Sequence, residues 1–331
     1  MIARIPIYLL TGFLGSGKTT LLKRWLQQPL LQNAALIVNE IGAVGLDHTT
    51  LGYASEASTL LADACVCCTG LPGLHEALEN LFWARLHRSM PRFDAVVIET
   101  TGLADPAALV ASLKTQPFVS ERYCLAGIVT TLGAPTAQET MAQFAEARAQ
   151  LDAAGAIVVT KTDLVVREDL DALLERLQRS NPAARVLLSA HGSLGAHEAW
   201  HAAQAAASPT LPPSPSSEKR RPAWRAAEPH GIRPRLAQRG RAVHGAATRF
   251  EALEEAPNVD TARRFVDALV TRHRTRLLRM KGMIRLADGT TLVVQFTLGD
   301  RAAQLDTGLD PTQSTAASIP GGVTLILRVS Q

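Results

Sequence analysis

The chain is 331 residues long, 47% hydrophobic and 19% charged, with 34 Lys and Arg against 30 Asp and Glu for a formal net charge of +4. That length accommodates two domains. No apolar run approaches the ~20 residues of a membrane-spanning helix, and residues 1–6 lack the charged region and cleavage site of a secretory signal, so a cytoplasmic protein with no membrane partner is expected. Four cysteines, three of them at Cys65, Cys67 and Cys68, are too crowded for a disulfide framework, and in a reducing compartment they point to metal binding or catalysis.

In chain order, an apolar run at 5–10 has the length of a strand, and Leu21, Leu22, Trp25 and Leu26 recur at helical spacing behind it. Between them Gly12, Phe13, Leu14, Gly15, Ser16, Gly17, Lys18 and Thr19 complete Gly-x-x-x-x-Gly-Lys-Ser/Thr. Only between a strand and a helix do successive backbone N–H groups and a helix N-terminus converge on a phosphate chain, so the flanks make the motif specific. Gly12, Gly15, Ser16, Gly17, Lys18, Thr19 and Thr20 are therefore the expected phosphate ligands, with Lys18 reaching the β and γ phosphates and the Thr19 hydroxyl on Mg²⁺.

Further strands are expected at 35–39, 95–100, 124–130, 156–160 and 185–189, and helices at 74–87, 106–114, 137–153 and 167–179. The strands are runs of Val, Ile and Leu rather than alternating patterns, as in a parallel sheet buried on both faces. A doubly wound α/β domain follows, with its ligand at the carboxyl ends of the strands. Cys124, within such a run, is expected to be plain core.

Two strand ends carry further signals. Glu99, Thr100, Thr101 and Gly102 place a carboxylate where a nucleotide hydrolase acts on Mg²⁺ or its water, followed by a glycine whose N–H meets the γ phosphate. After the strand at 156–160 come Lys161 and Asp163. A carboxylate there accepts from the guanine N1–H and exocyclic amine, which adenine cannot offer. Third in line after the other two motifs, this turn argues for GTP.

Cys65, Cys67 and Cys68 can bring two or three thiolates to one ion. A second Cys-x-x-Cys knuckle, usual in a closed structural zinc site, does not follow, and an incomplete set suits a metal that must be released. Soft thiolates favour Zn²⁺ or Cu⁺, and a mixed sulfur and oxygen set admits Co²⁺. His197, Glu198 and His201 fit His-Glu-x-x-His. That helix abuts a biased segment with no third ligand at protease spacing, so a solvated helix face is the expected reading.

Residues 202–247 are dominated by Ala, Pro, Ser and Arg without apolar periodicity and are expected to be a linker between a domain at 1–201 and one at 248–331. Lys219, Arg220, Arg221, Arg225, Arg233, Arg235, Arg239 and Arg241 face only Glu228 there. No nucleic-acid-binding motif accompanies them, so a solvated linker outweighs a nucleic-acid arm. Beyond it, strands near 248–252, 283–287, 291–297 and 323–329, a helix at 261–273 and an Asp288-Gly289 hairpin turn indicate a smaller α+β domain.

Together these motifs resemble the CobW-type proteins, in the metallochaperone branch of the SIMIBI class of P-loop GTPases. The resemblance rests on residues 11–21; on Ile37, Val38, Asn39 and Glu40 with Gly42, Gly45 and Asp47; on the cysteine cluster; on residues 99–106 and 160–165; and, past the linker, on residues 277–282. It implies a GTPase that hydrolyses GTP to GDP and phosphate to gate delivery of zinc, or cobalt, to a client metalloprotein. It also implies Glu40 as a further metal ligand and a C-terminal domain on which a partner or a second copy docks. Ala64, Thr160, Gly133 and Gly155 depart from the family pattern, where Gly, Asn, Asp and Asp are usual. Two other classes stay open: an ATP-dependent small-molecule kinase on the same loop, and a switch GTPase whose metal is purely structural.

Overall fold

The structure, a computed structural model, describes residues 4–38, 58–60, 72–205, 246–253, 255–300, 302–307 and 321–328. The first part is a seven-stranded parallel sheet in the order β3-β2-β4-β1-β5-β6-β7. Its strands are β1 (Ile5–Gly12), β2 (Ala34–Val38), β3 (Ser58–Leu60), β4 (Ala95–Glu99), β5 (Tyr123–Gly133), β6 (Ala156–Thr160) and β7 (Arg185–Ser189). Every residue of β2 and β6 is buried, the state that their unbroken apolar runs anticipate. β1 lies at the centre, between β4 and β5, where the strand order reverses. A crevice opens at such a point beyond the carboxyl ends of the strands.

Helices cover both faces: α1 (Lys18–Trp25), α2 (Pro72–His87), α3 (Pro106–Thr115), α4 (Pro117–Arg122), α5 (Ala137–Gln143), α6 (Ala145–Asp152), α7 (Arg167–Ser180) and α8 (Ala196–Ala205). Asp105 caps α3, its carboxylate accepting from Ala107 N at 2.9 Å with Pro106 in the first turn. On one face Trp25 and Trp200 are fully buried against each other at 5.3 Å, and the Trp25 indole N–H donates to the Leu194 carbonyl at 2.7 Å. Gly155, where the resembling family has Asp, lies under α8. A Cβ there would come 2.6 Å from the Ala203 carbonyl oxygen, so only glycine permits that helix its seat on the sheet.

The second part is a five-stranded antiparallel sheet, β11-β10-β9-β12-β8. It comprises β8 (Ala246–Ala252), β9 (Leu277–Arg285), β10 (Thr291–Thr297), β11 (Gln304–Thr307) and β12 (Gly322–Arg328), with α9 (Val259–His273) against one face. The expected hairpin turn joins β9 to β10, with Gly289 at φ 86° and Thr290 N donating to Asp288 Oδ1 at 2.8 Å. The α/β and α+β architecture expected from the sequence is the one observed.

Several boundaries move. The helix expected over 137–153 is two helices, because Phe144 takes an extended conformation (φ −119°, ψ 120°) and turns its ring into a core against Phe13, 4.3 Å away. β9 starts at Leu277, earlier than the strand expected at 283, and the added length belongs to the segment 277–282. α8 continues to Ala205, past the expected domain limit at 201. β3, β11 and α4 are too short to give a periodic signal. Cys124 is half-buried rather than core. Among the described residues no helix is long and apolar enough to cross a membrane.

The two parts share a core. Phe13, Leu14, Leu103, Phe144 and Ala147 of the first pack with Leu278 and Ile326 of the second. The Arg328 guanidinium lies 4.7 Å from the Phe144 ring centroid and its Nη2 donates to Gln143 Oε1. Phe144→Ala removes one of the two phenylalanines at that junction. It is expected to cost about 3 kcal/mol, read as a lowered midpoint in urea denaturation.

Candidate functional site

β1 delivers its last residue, Gly12, at φ 138°. A Cβ on Gly12 would lie 2.3 Å from the Thr131 carbonyl oxygen, so the strand can turn out of the sheet here only without a side chain. Gly17, at φ 89°, is the residue before α1 and supplies no side-chain cap. The first N–H groups of α1 are thereby left to an external acceptor, the property that makes a helix N-terminus an anion site.

A buried layer of hydroxyls underlies the loop. Thr11, Ser16, Thr100, Thr131 and Thr160 are all at most 5% exposed. Ser16 Oγ and Thr131 Oγ1 are 2.6 Å apart, Thr100 Oγ1 donates to Thr11 Oγ1 at 2.8 Å, and Thr160 Oγ1 donates to the Ser16 carbonyl at 2.7 Å. Thr160 thus fastens the phosphate-binding loop to the end of β6. Lys18 is also buried, its ammonium donating to the carbonyls of Gly12 at 2.8 Å and Phe13 at 3.1 Å. Its side chain spans the loop it serves.

Glu99, at the end of β4, is 3% exposed, and the Thr19 hydroxyl donates to its Oε1 at 2.6 Å. With its proton committed to the carboxylate, the Thr19 oxygen keeps lone pairs for a hard cation, so this pair fits the Mg²⁺ expected there. Gly102 approaches the loop so closely that a Cβ would lie 2.6 Å from Leu14 N. Gln150, fully buried on α6, holds this segment by donating from Nε2 to the carbonyls of Ala104 at 2.9 Å and Gly102 at 3.2 Å.

Gly15, Gly17, Lys18, Thr19, Thr20, Glu99, Gly102 and Lys161 line one cavity of about 310 Å³. Gly12 and Ser16 stand behind its wall and hold the loop. Lys161 adopts φ 56°, ψ 35°, an uncommon conformation for a residue with a side chain, and opens the short turn that contains Asp163. Asp163 is not part of the cavity lining. Its Oδ1 accepts from His191 N at 3.3 Å and its Oδ2 is 3.6 Å from His191 Nδ1, which holds the carboxylate just beyond Lys161. The described lining carries Lys18, Lys23, Lys161, Arg279 and Lys281 against Glu99 and Asp300, a cationic balance suited to a polyphosphate.

The sequence-based metal ligands Cys65, Cys67, Cys68 and Glu40 lie outside the described residues. Among the described residues no group of three or more His, Cys, Asp and Glu could hold a metal ion. His197 and His201 are exposed on α8, their rings nearly parallel at 5.9 Å, and no third described ligand joins them.

Sequence reasoning missed Gln150, Thr131 and the contribution of the second part to the cavity. Gln150 carries no local signal. The C-terminal contribution had one, since Arg279 and Lys281 alternate with Leu278, Met280 and Gly282 and so fall on one face of a strand.

A strand, a glycine loop, a lysine that closes it and an acid at the neighbouring strand end define a nucleotide-binding protein of the P-loop class. The chain belongs to the CobW/HypB/UreG family, whose nucleotide-binding domain matches residues 6–188. The zinc chaperone YjiA of Escherichia coli (strain K12) is 37% identical over 190 residues, covering 57% of this chain and 59% of that protein. The zinc-regulated GTPase metalloprotein activator 1 of Schizosaccharomyces pombe is 29% identical over 197 residues, covering 57% and 47%. The chain therefore spans about half to three fifths of these curated relatives. The crystal structure of Zn(II)-bound YjiA GTPase from E. coli, 24% identical, aligns over 99% of this chain and 95% of that one with a TM-score of 0.49.

Thr160→Val keeps the shape of that buried side chain but leaves the Ser16 carbonyl without its donor. We expect a loss of about 1–2 kcal/mol in urea denaturation and a several-fold weaker nucleotide affinity by fluorescence titration.

Proposed function

We propose that this protein is a GTPase that couples GTP binding and hydrolysis to the transfer of Zn²⁺ to a client metalloprotein. The cavity that gathers Lys18, Thr19, Glu99, Gly102 and Lys161 at the carboxyl end of the parallel sheet carries this reading. The CobW/HypB/UreG match and the zinc-chaperone names of the relatives support it.

In this mechanism the N–H groups of the loop and of the α1 N-terminus receive the phosphates. The Lys18 ammonium exchanges the Gly12 and Phe13 carbonyls for phosphate oxygens. Thr19 would hold Mg²⁺, which when bound neutralises phosphate charge. Glu99 orients Thr19 and positions the attacking water, while the Gly102 N–H meets the γ phosphate. Lys161 flanks the base and Asp163 accepts from its N1–H and amine. Thr160, committed to the loop, takes no part in reading the base.

Cys65, Cys67 and Cys68 with Glu40 carry the transferred metal, Zn²⁺ by the softness of the thiolates and Co²⁺ through the carboxylate. Glu40 is two residues beyond the end of β2 in sequence, and Val38, the end of that strand, lines the cavity. A conformation selected by the γ phosphate can therefore assemble the metal ligands, and GDP can separate them.

Lys18→Ala is expected to abolish GTP hydrolysis, measured as phosphate release in the absence of any acceptor. It also removes two internal hydrogen bonds, so a stability loss of about 1–3 kcal/mol accompanies it. Wild-type turnover in that variant overturns the nucleotide site, and phosphate release that requires an added acceptor points to the kinase.

Zn²⁺ titrated into the GDP form and into a form holding a non-hydrolysable GTP analogue tests the coupling. An affinity ratio of roughly 5- to 150-fold is expected, and Cys67→Ser erases it. Equal affinities would make the metal structural.

A further inference from the structure

The C-terminal sheet has two unlike faces. On one, Met280, Ile284, Leu292, Val294, Phe296, Val323 and Leu325 join the core beneath α9. The other face carries Arg279, Lys281, Gln295, Thr297 and Thr324 beside the apolar Ile326, in an order that follows from the strand register. Lys281 pairs with Gln295 on one side and Thr324 on the other, and Gln295 pairs with Gln304. In the next row on that face Arg279 stands between Thr297 and Ile326.

Both neighbours of Arg279 are seated on the phosphate-binding loop. A Cβ on Gly15 would lie 2.0 Å from Thr297 Cγ2, so β10 ends in direct contact with the loop. Ile326 packs with Phe13 and Leu14, two of the four variable residues of the Gly-x-x-x-x-Gly-Lys motif. The turn after β10 is tied down as well, with Asp300 Oδ2 accepting from Thr297 N at 2.7 Å. Arg279 is thus fixed between two points of contact with the loop. Lys281 follows it on the same face at strand spacing, and both line the cavity with Lys18, Thr19 and Glu99.

We propose that Arg279 and Lys281 are phosphate ligands, supplied by the C-terminal sheet to a nucleotide bound on the N-terminal loop. The site is then built by both parts of the chain, and docking of the C-terminal sheet depends on the phosphate charge it covers. An arginine here offers planar, paired donors to phosphate oxygens, and the lysine adds a point charge beside it. This inference rests on the nucleotide site proposed above.

The full-length wild-type chain, Lys18→Ala, Arg279→Gln, Arg279→Lys and Lys281→Gln are titrated with fluorescent GDP and with a fluorescent non-hydrolysable GTP analogue at low and high salt. Arg279→Gln and Lys281→Gln are each expected to weaken the GTP analogue about tenfold at low salt, the loss of one charged hydrogen bond. The deficit should shrink as salt screens the contact, and Arg279→Lys should recover part of the loss. A purely structural role for these side chains predicts a loss that salt leaves unchanged. Glutamine variants that bind as wild type does, or whose deficit ignores salt, overturn the inference while Lys18→Ala still reports on the site beneath it. A wild-type chain that binds neither nucleotide overturns both. If Arg279→Gln fails to fold by circular dichroism, Lys281→Gln and Arg279→Lys decide the matter by the same salt dependence.

Discussion

Holding six residues of backbone, Gly12 to Gly17, in an arc between β1 and α1 is the constraint on which the rest of this structure depends. Within it the Ser16 N–H donates to the Phe13 carbonyl at 3.2 Å and Lys18 takes the carbonyls of Gly12 and Phe13, while hydroxyls hold the arc from beneath. Thr131 and Thr160, from β5 and β6, reach Ser16, and Thr100 reaches Thr11 at the base of the loop. Hydroxyls suit the position because each both donates and accepts within the volume of a small side chain. They are buried under the loop, where an unpaired group would cost about 1–3 kcal/mol, so the network holds the loop to one shape. The parallel sheet makes this possible by bringing the ends of β1, β4, β5 and β6 to one level.

The same loop is also a piece of hydrophobic core. Phe13 and Leu14 could have been any residues as far as phosphate binding requires, yet both are buried, and they pack on Phe144 within the first part and on Leu278 and Ile326 of the second. Phe144 reaches this junction because the chain leaves helical geometry at that residue. Packed cores respond to displacement as discrete alternatives rather than continuously. A shift of the loop is therefore felt by the C-terminal sheet, and the position of that sheet is felt by the loop.

Gln150 shows how a segment without chemistry of its own serves the site. It sits on α6, fully buried, and its amide holds the carbonyls of Gly102 and Ala104. The backbone that follows Glu99 is thereby tied to a helix rather than left as a loop, and Gly102 is kept against Leu14. The departure at Gly155 has a similar explanation, since α8 packs where a side chain would stand.

Local pattern in the sequence was enough for the fold class, the phosphate-binding loop, the strand ends at Glu99 and Lys161, and the hairpin at Asp288-Gly289. Each of these depends on residues close in the chain: hydrophobic periodicity, glycines where φ is positive, a lysine at a helix start. The break at Phe144, the hydroxyls under the loop, Gln150, and the meeting of Arg279 and Lys281 with Lys18 depend on contacts between residues far apart in sequence. Thr160 is the clearest instance. By its position in the motif it reads as a substituted guanine contact, and only the placement of β6 beside β5 turns its hydroxyl to the Ser16 carbonyl. Arg279 and Lys281 could be assigned to one strand face from alternation alone, but which surface that face covers was decided by the packing of Phe13 and Leu14 on Leu278 and Ile326. Periodicity states which side of an element is apolar, and only tertiary structure states what lies opposite it.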